Sequence, residues 1–139
     1  SIMGGYDEAL FLDKQGHVVE GSAENLFLVS KNTVYTPPIF DDILQGITRD
    51  TVSTLLEKEL GISVHEQSMR RTQLYQADEI FLVGTGAEVL PVTYVDGRKV
   101  GSGDIGPISK KIKTLYQQVV RGENPTYSSW LTSLSFKRK

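Results

Sequence analysis

The sequence predicts a mixed α/β domain, and three observations carry this prediction. Short apolar runs that suit β-strands recur through residues 9–100 and are separated by turn residues. Two longer segments, 48–60 and 107–120, repeat their apolar residues at helical spacing instead. No glycine-rich dinucleotide fingerprint follows any of the strands, so a doubly wound sheet is not expected.

The first half of the chain reads as four strands followed by a helix. The predicted strands cover residues 9–12, 17–20, 25–30 and 33–36. Pro37 and Pro38 end the fourth strand because proline cannot donate to a ladder, and 39–44 is expected to be a loop. Thr48 is predicted to be the N-cap of the helix, which Gly61 ends. The apolar face of this helix is formed by Val52, Leu55, Leu56 and Leu60.

The second half alternates short strands with helical segments. Strands are predicted at 62–66, 79–83 and 89–95, the last split by Pro91, and a short helical turn at 72–76. Asp96-Gly97 has the composition of a tight hairpin turn that leads into 98–100. Pro107 suits the first turn of the last helix, and Gly122 ends it.

Composition limits the classes of function. The chain has 139 residues, enough for one domain, and a net charge of −2, which argues against nucleic-acid binding. It has no cysteine, and no apolar run approaches the ~18 residues of a membrane span, so we expect a cytoplasmic protein without a membrane partner. A core-type strand begins almost at once after Ser1, which we interpret as the sign of a fragment of a longer protein.

Two segments early in the chain have the chemistry of an anion or cofactor site. Glu20 ends an apolar strand on the face shared with Val18, where a carboxylate is costly to bury without a cationic partner. Gly46, Ile47 and Thr48 would offer N–H groups and a hydroxyl at a helix N-terminus. Taken alone, each has a plainer interpretation: a glutamate in solvent and an ordinary capped helix.

A third candidate is the turn after the most apolar strand. Two glycines, Gly84 and Gly86, flank Thr85, and such a turn can present N–H groups to a phosphate or a carboxylate. A simple tight turn or bulge explains the same residues equally well.

Together these segments resemble the class IV pyridoxal-phosphate-dependent aminotransferases, and among them the branched-chain amino acid aminotransferases. The class pattern runs without a gap of unexpected length through Glu20, Ser22, 25–27, Val34, Thr36, Leu44, 46–47 and Arg49. Flanking segments agree at 5–9, 74–79, 84–89, 95–98 and 106–108, so the resemblance covers residues 4–131.

The resemblance implies a fold and a cofactor site. The fold is the cofactor-binding carboxyl-terminal domain of the fold type IV enzymes, a mixed sheet or pseudo-barrel with flanking helices. The cofactor is pyridoxal 5′-phosphate, whose pyridine nitrogen pairs with Glu20. The implied cofactor-binding residues are Glu20, Asn25, Gly46, Ile47, Thr48 and Thr85. The amides of Thr85 and Gly86 are implied to receive the substrate α-carboxylate, and no metal is implied.

The family's cofactor-bearing lysine lies upstream of Ser1 in the resemblance, together with an amino-terminal domain. We therefore expect the intact protein, at least a dimer, to exchange amino groups between branched-chain amino acids and 2-oxoglutarate, and this chain alone to be inactive. Three alternatives stay open: a D-amino acid aminotransferase, an aminodeoxychorismate lyase, and a paralogue that has lost catalysis.

Overall fold

The computed structural model describes residues 10–12, 17–21, 25–38, 43–84 and 88–123. At residues 10–12, 17–21, 43–45 and 88 the description is confined to the backbone. Three helices lie in these ranges: α1 (Ile43–Glu59), α2 (Arg71–Gln76) and α3 (Pro107–Val120). The strands in these ranges are β1 (Leu10–Leu12), β2 (His17–Gly21), β3 (Asn25–Ser30), β4 (Thr33–Thr36), β5 (Val64–Glu66), β6 (Met69–Arg70), β7 (Glu79–Gly84), β8 (Glu88–Val92), β9 (Tyr94–Val95) and β10 (Arg98–Lys99).

The centre of the fold is a five-stranded sheet with the order β5-β4-β3-β7-β8. Its neighbours are antiparallel except for β4 and β5, which run parallel because α1 crosses over between them. A second sheet has the order β1-β2-β6, and β9 pairs with β10 as a hairpin. This arrangement confirms the mixed α/β class and the absence of a doubly wound sheet among the described residues.

Both faces of β3 and β7 are buried, so the sheet separates two apolar clusters. Alternate residues point to opposite faces of a strand, which sends Phe27 and Val29 to one side and Leu26 and Leu28 to the other. The first side packs against α1 and α3 through Val52, Leu55, Leu56, Ile112, Tyr116 and Val119. The second side packs against Met69, Leu74, Ala77 and Val100.

The element boundaries agree with the sequence for most of the chain. Strands β3 and β4 have the predicted bounds, and the predicted 9–12 and 17–20 strands pair as an antiparallel hairpin. The predicted turn at Asp96 and Gly97 also holds, since these residues have positive φ angles of 51° and 76°. Helix α3 begins at Pro107 as predicted. The two-residue β6 escapes prediction because it is too short to show any periodicity.

Two expectations are wrong. Helix α1 begins at Ile43, not at Thr48, so residues 43–44 are helical where a loop was expected. Gly46 does not interrupt it, because a glycine inside a helix costs only about 1 kcal/mol and tertiary packing can outweigh that cost. Pro91 does not split its strand; it lies within β8 opposite Phe81, and the break falls at Thr93 instead. Proline is tolerated there because β8 is the edge of the sheet.

A buried carboxylate joins β7 to the start of α3. The side chain of Glu79, 7% exposed, accepts hydrogen bonds from the N–H of Ile108 (3.2 Å) and from the N–H and hydroxyl of Ser109 (both 2.8 Å). These N–H groups belong to the first turn of the helix, where they have no intrahelical acceptor and where a negative charge is favourable. Gly106 leaves the room for this carboxylate, since a Cβ there would overlap the Glu79 side chain.

The Glu79 contact generates a double-mutant prediction. Glu79→Ala should lower the free energy of unfolding of the intact protein by about 3 kcal/mol, because it leaves buried donors without an acceptor. Gly106→Ala should also destabilise, although its φ of −77° and ψ of 165° suit any residue, because its methyl displaces the carboxylate. Denaturant unfolding should show that Gly106→Ala costs little in the Glu79→Ala background. Simple additivity of the two losses would contradict this account.

A surface contact connects α2 with the β9–β10 hairpin. The Tyr75 hydroxyl donates to Oδ2 of Asp96 at 2.5 Å, and the Arg98 guanidinium lies 4.3 Å from the centre of the Tyr75 ring. The hydrogen bond to Asp96 raises the pKa of the Tyr75 phenol above its ordinary 10.0, while Arg71 and Arg98 act in the opposite direction. The contact fixes the hairpin against α2.

The raised pKa of Tyr75 predicts a defined pH dependence. The neutral phenol is favoured in the folded protein, so this contact stabilises fully below pH 10.0 and is lost as the pH rises through the higher folded-state pKa. In an NMR titration of ¹³C-tyrosine-labelled protein, with the signal assigned by Tyr75→Phe, the Tyr75 phenol should ionise at a pH above 10.0. Asp96→Asn should lower its pKa towards the ordinary value. A Tyr75 signal whose pKa is unchanged by Asp96→Asn would refute the assigned cause.

Candidate functional site

One end of the five-stranded sheet collects several of the residues that the sequence indicated. Asn25 is the first residue of β3 and lies opposite Val83, one residue before β7 ends at Gly84. The side chain of Asn25 is 3% exposed, and strand alternation places it on the side of Phe27, which is the side that α1 and α3 cover. The amide group of Asn25 is therefore a buried polar group at the carboxyl end of β7.

Strand β4 ends at this same end of the sheet and leads towards α1. The hydroxyl of Thr36, the last residue of β4, donates to the carbonyl oxygen of Leu26 at 2.7 Å. Pro37 and Pro38 follow, and α1 begins five residues after Pro38 at Ile43. Because consecutive Cα atoms are about 3.8 Å apart, the start of α1 lies within about 19 Å of Pro38. The N-terminus of α1 therefore belongs to this region.

Glu20 lies in β2, one residue before that strand ends at Gly21. Residues 22–24 separate Gly21 from Asn25, so the Cα of Glu20 is within about 19 Å of the Cα of Asn25. Strand β2 pairs with β1 on one side and with β6 on the other, where His17 lies opposite Arg70. The chain length therefore allows Glu20 to lie near the start of β3, and its pairing with the cofactor, which the resemblance implies, stays a prediction.

Gly46, Ile47 and Thr48 lie inside α1 and not in a turn before it. The expectation that Thr48 caps this helix is therefore wrong, because the helix begins at Ile43. Within a continuous α-helix each N–H donates to the carbonyl four residues earlier, so the N–H groups without an intrahelical acceptor belong to the first turn, which includes residues 43–45. The predicted part of Ile47 and Thr48 in phosphate binding stays a prediction.

The environments of Gly46 and Thr48 differ. In the described part of the chain outside its own helical turns, a Cβ at Gly46 would meet nothing within 4 Å, and the backbone there has no positive φ, so neither this packing nor the conformation requires glycine. Close approach of a ligand to the backbone is a common reason for such a glycine. Thr48 is 1% exposed and makes polar interactions within the chain. The open space at Gly46, close to a helix N-terminus whose N–H groups have no acceptor within the helix, fits an anionic group such as a phosphate.

Thr85 and Gly86 fall outside the described residues, as do Ser22 and the upstream segment 1–9. Their flanks are described: Gly84 at the end of β7 pairs with Glu88 at the start of β8. Residues 85–87 therefore connect two antiparallel neighbours at the same sheet end as Asn25. The predicted roles of Thr85 and Gly86 stay predictions.

One contact near this end of the sheet was not predicted from the sequence. Nη1 of Arg49 lies 2.6 Å from Oε2 of Glu66 and forms an ion pair between α1 and β5. The two side chains are seventeen positions apart in the chain, so no local spacing rule relates them. The only available signal is that Arg49 belongs to the class pattern without an assigned task.

Comparison with known proteins finds one matching family and relatives that share its type of activity. The family described as amino-transferase class IV matches residues 2–95. A probable branched-chain-amino-acid aminotransferase of Aquifex aeolicus is 50% identical over 132 residues, which cover 95% of this chain and 42% of that protein. The branched-chain-amino-acid aminotransferase of Escherichia coli K12 is 44% identical over 131 residues, covering 94% of this chain and 42% of the enzyme. The chain thus spans about two fifths of the length of these relatives.

Solved structures agree with the described fold. The branched-chain amino acid aminotransferase of Thermobaculum terrenum in its PLP-form superimposes with a TM-score of 0.84 at 43% identity, over 92% of this chain and 42% of that one. The branched-chain aminotransferase of the archaeon Thermoproteus uzoniensis with norvaline gives a TM-score of 0.81 at 47% identity, over 91% and 41%. Among the helices of the described residues, none combines the length and apolarity that crossing a bilayer requires.

Proposed function

The chain belongs to the class IV aminotransferases, and we propose that the protein containing it transfers amino groups between branched-chain L-amino acids and 2-oxoglutarate with pyridoxal 5′-phosphate. One observation carries this proposal: 50% identity to a probable branched-chain-amino-acid aminotransferase across 95% of the chain. The fold supports it, because neighbours of that name superimpose on nearly the whole chain.

The proposal assigns the complete activity to a longer protein. The relatives are more than twice as long as the matched region, and the resemblance puts the cofactor-bearing lysine upstream of residue 1. We infer that the lysine and an amino-terminal domain belong to the remaining part of the protein, and that residues 1–139 form its cofactor-binding domain. Amino acids and 2-oxo acids are the proposed substrates; assembly into at least a dimer and a cytoplasmic location stay predictions.

Glu20 is proposed to act on the ring of the cofactor. When bound, pyridoxal phosphate supplies an aldehyde that takes up the amino group and a ring that accepts electron density from the substrate α-carbon. The Glu20 carboxylate keeps a proton on the ring nitrogen by pairing with it, and this maintains the electron-accepting character of the ring. The position of Glu20 at the end of β2, close along the chain to Asn25, supports this assignment.

The phosphate is proposed to meet the start of α1. The open space at Gly46 supports this placement, and so does the first turn of α1, where N–H groups have no acceptor within the helix. Ile47, Thr48 and Thr85 are proposed to line the same phosphate site, and the Thr85 and Gly86 amides to hold the substrate carboxylate. The β7–β8 connection that carries the latter two lies at the sheet end that Asn25 occupies.

Activity of the intact protein tests the proposal directly. With pyridoxal phosphate and 2-oxoglutarate, L-leucine should be consumed and D-alanine should not. Glu20→Gln should lower kcat by about 10- to 100-fold, because a hydrogen bond to a charged group contributes roughly 1.5–3 kcal/mol. Turnover of D-alanine would instead favour a D-amino acid aminotransferase. Release of pyruvate from aminodeoxychorismate would favour a lyase, and cofactor binding without turnover would favour a non-catalytic paralogue.

Gly46→Ala should separate stability from cofactor binding. Among the described residues beyond its own helical turns, the methyl group meets no atom within 4 Å, and alanine favours a helix over glycine by about 1 kcal/mol, so the apoprotein should unfold at a higher denaturant concentration. The same methyl occupies the space proposed for the phosphate, so cofactor affinity measured by absorbance titration should fall. Ser53→Ala, a control in the same helix, should leave the affinity unchanged. Wild-type affinity in Gly46→Ala would place the phosphate elsewhere.

A further inference from the structure

Arg49 has no role in the site as described, although it directly follows Thr48 and completes the class pattern. Its side chain is 16% exposed, and its Nη1 contacts Oε2 of Glu66 at 2.6 Å. Its Nη2 lies 3.6 Å from Oδ1 of Asp50, a weaker contact with an exposed carboxylate. The principal partner of this largely buried cation is therefore Glu66 on β5.

The ion pair acts at a particular part of α1. The fully buried apolar residues of this helix, Val52, Leu55 and Leu56, hold its middle and its carboxyl-terminal part against the sheet. Near its carboxyl end, the side chain of Glu57 accepts a hydrogen bond from the N–H of Val64 on β5 at 3.2 Å. Towards its amino end, Arg49 and Glu66 make the corresponding polar connection to the same strand. Helix α1 is thus joined to β5 at two points, one before and one after its fully buried apolar residues, while the partly buried Ile47 packs against the same cluster.

Strand β5 gives the pair a fixed support. Glu66 lies opposite Thr36 in the parallel pairing of β5 with β4, and the N–H of Gln67 donates to the Thr36 carbonyl at 3.0 Å. Thr36 in turn is fastened to β3 through its hydrogen bond to Leu26. A chain of contacts therefore runs from the central strand β3 through β4 and β5 to Arg49, one residue from Thr48.

We propose that Arg49 is a positioning residue, which through Glu66 holds the amino-terminal part of α1, with Gly46 and Thr48, at the place where the cofactor phosphate binds. The inference rests on the proposed function. In this proposal Arg49 acts through the helix that it anchors, because the carboxylate nearest to its guanidinium is that of Glu66, with which Nη1 makes a close ion pair without a hydrogen bond. The Arg49 side chain is 16% exposed and that of Glu66 is 51% exposed, so water screens the carboxylate and leaves the cation largely buried. Loss of the carboxylate therefore costs more than breaking a pair that is exposed on both sides.

Cofactor affinity of the intact protein tests this assignment. Arg49→Met and Glu66→Gln should each raise the Kd for pyridoxal phosphate by about 10-fold, measured by absorbance titration of the apoprotein, and the double variant should match the single ones. Arg49→Lys should recover part of the affinity, because lysine keeps the charge but loses the planar donor pair. At saturating cofactor, the KM for the amino acid should stay close to that of the wild type.

Glu66→Gln distinguishes positioning from direct attraction. If Arg49 bound the phosphate itself, removal of the neighbouring negative charge would leave the affinity unchanged or tighten it, which would overturn the proposal. Glu57→Gln is the matched control: it weakens the other connection between α1 and β5 and should leave the Kd near the wild-type value. Equal losses in Glu57→Gln and Glu66→Gln would also overturn it. Failure of the wild type to bind the cofactor would instead refute the proposed function.

Discussion

The pairing of β3 with β7 is the constraint on which the rest of the structure depends. Both strands are buried on both faces, and Phe27 stacks on Phe81 across the pair with ring centres 5.1 Å apart and planes at 5°. A shift of one residue would exchange the two faces and move every side chain to the wrong apolar cluster. The same register sets the site, because it aligns Asn25 with the end of β7 and with the connection that carries Thr85.

The sequence predicts this architecture where local chemistry and tertiary packing agree. Strand β3 is a buried apolar run that the turn at Lys31 and Asn32 follows, so its end follows from the residues alone. The start of α1 does not follow from the residues alone. Gly46 and Thr48 have the composition of a turn and an N-cap, but the helix already begins at Ile43 and continues through both of them. Pro91 shows the same conflict: it interrupts a strand only where its missing donor is needed, and that depends on which neighbours the strand has.

The site divides in a similar way between what the sequence predicts and what only the fold reveals. Glu20 and Asn25 follow from the family pattern, and they lie near the end of β2 and at the start of β3, five residues apart in the chain. The ion pair of Arg49 with Glu66 joins two elements that become neighbours only when β5 pairs with β4. The Glu79 contact with α3 is likewise non-local, since its acceptor and donors are about thirty residues apart. Long-range polar contacts of this kind have no periodic signature.

Pro91 does not interrupt β8, but it changes what that strand can offer to a neighbour. Strand β8 is an outer strand of the sheet, and an outer strand offers its unpaired backbone groups to any other extended chain. Pro91 lies opposite Phe81, and a proline within a sheet is tolerated where its missing N–H would face away from the neighbouring strand. A proline on an edge strand is one of the ways in which natural sheets avoid pairing with other extended chains.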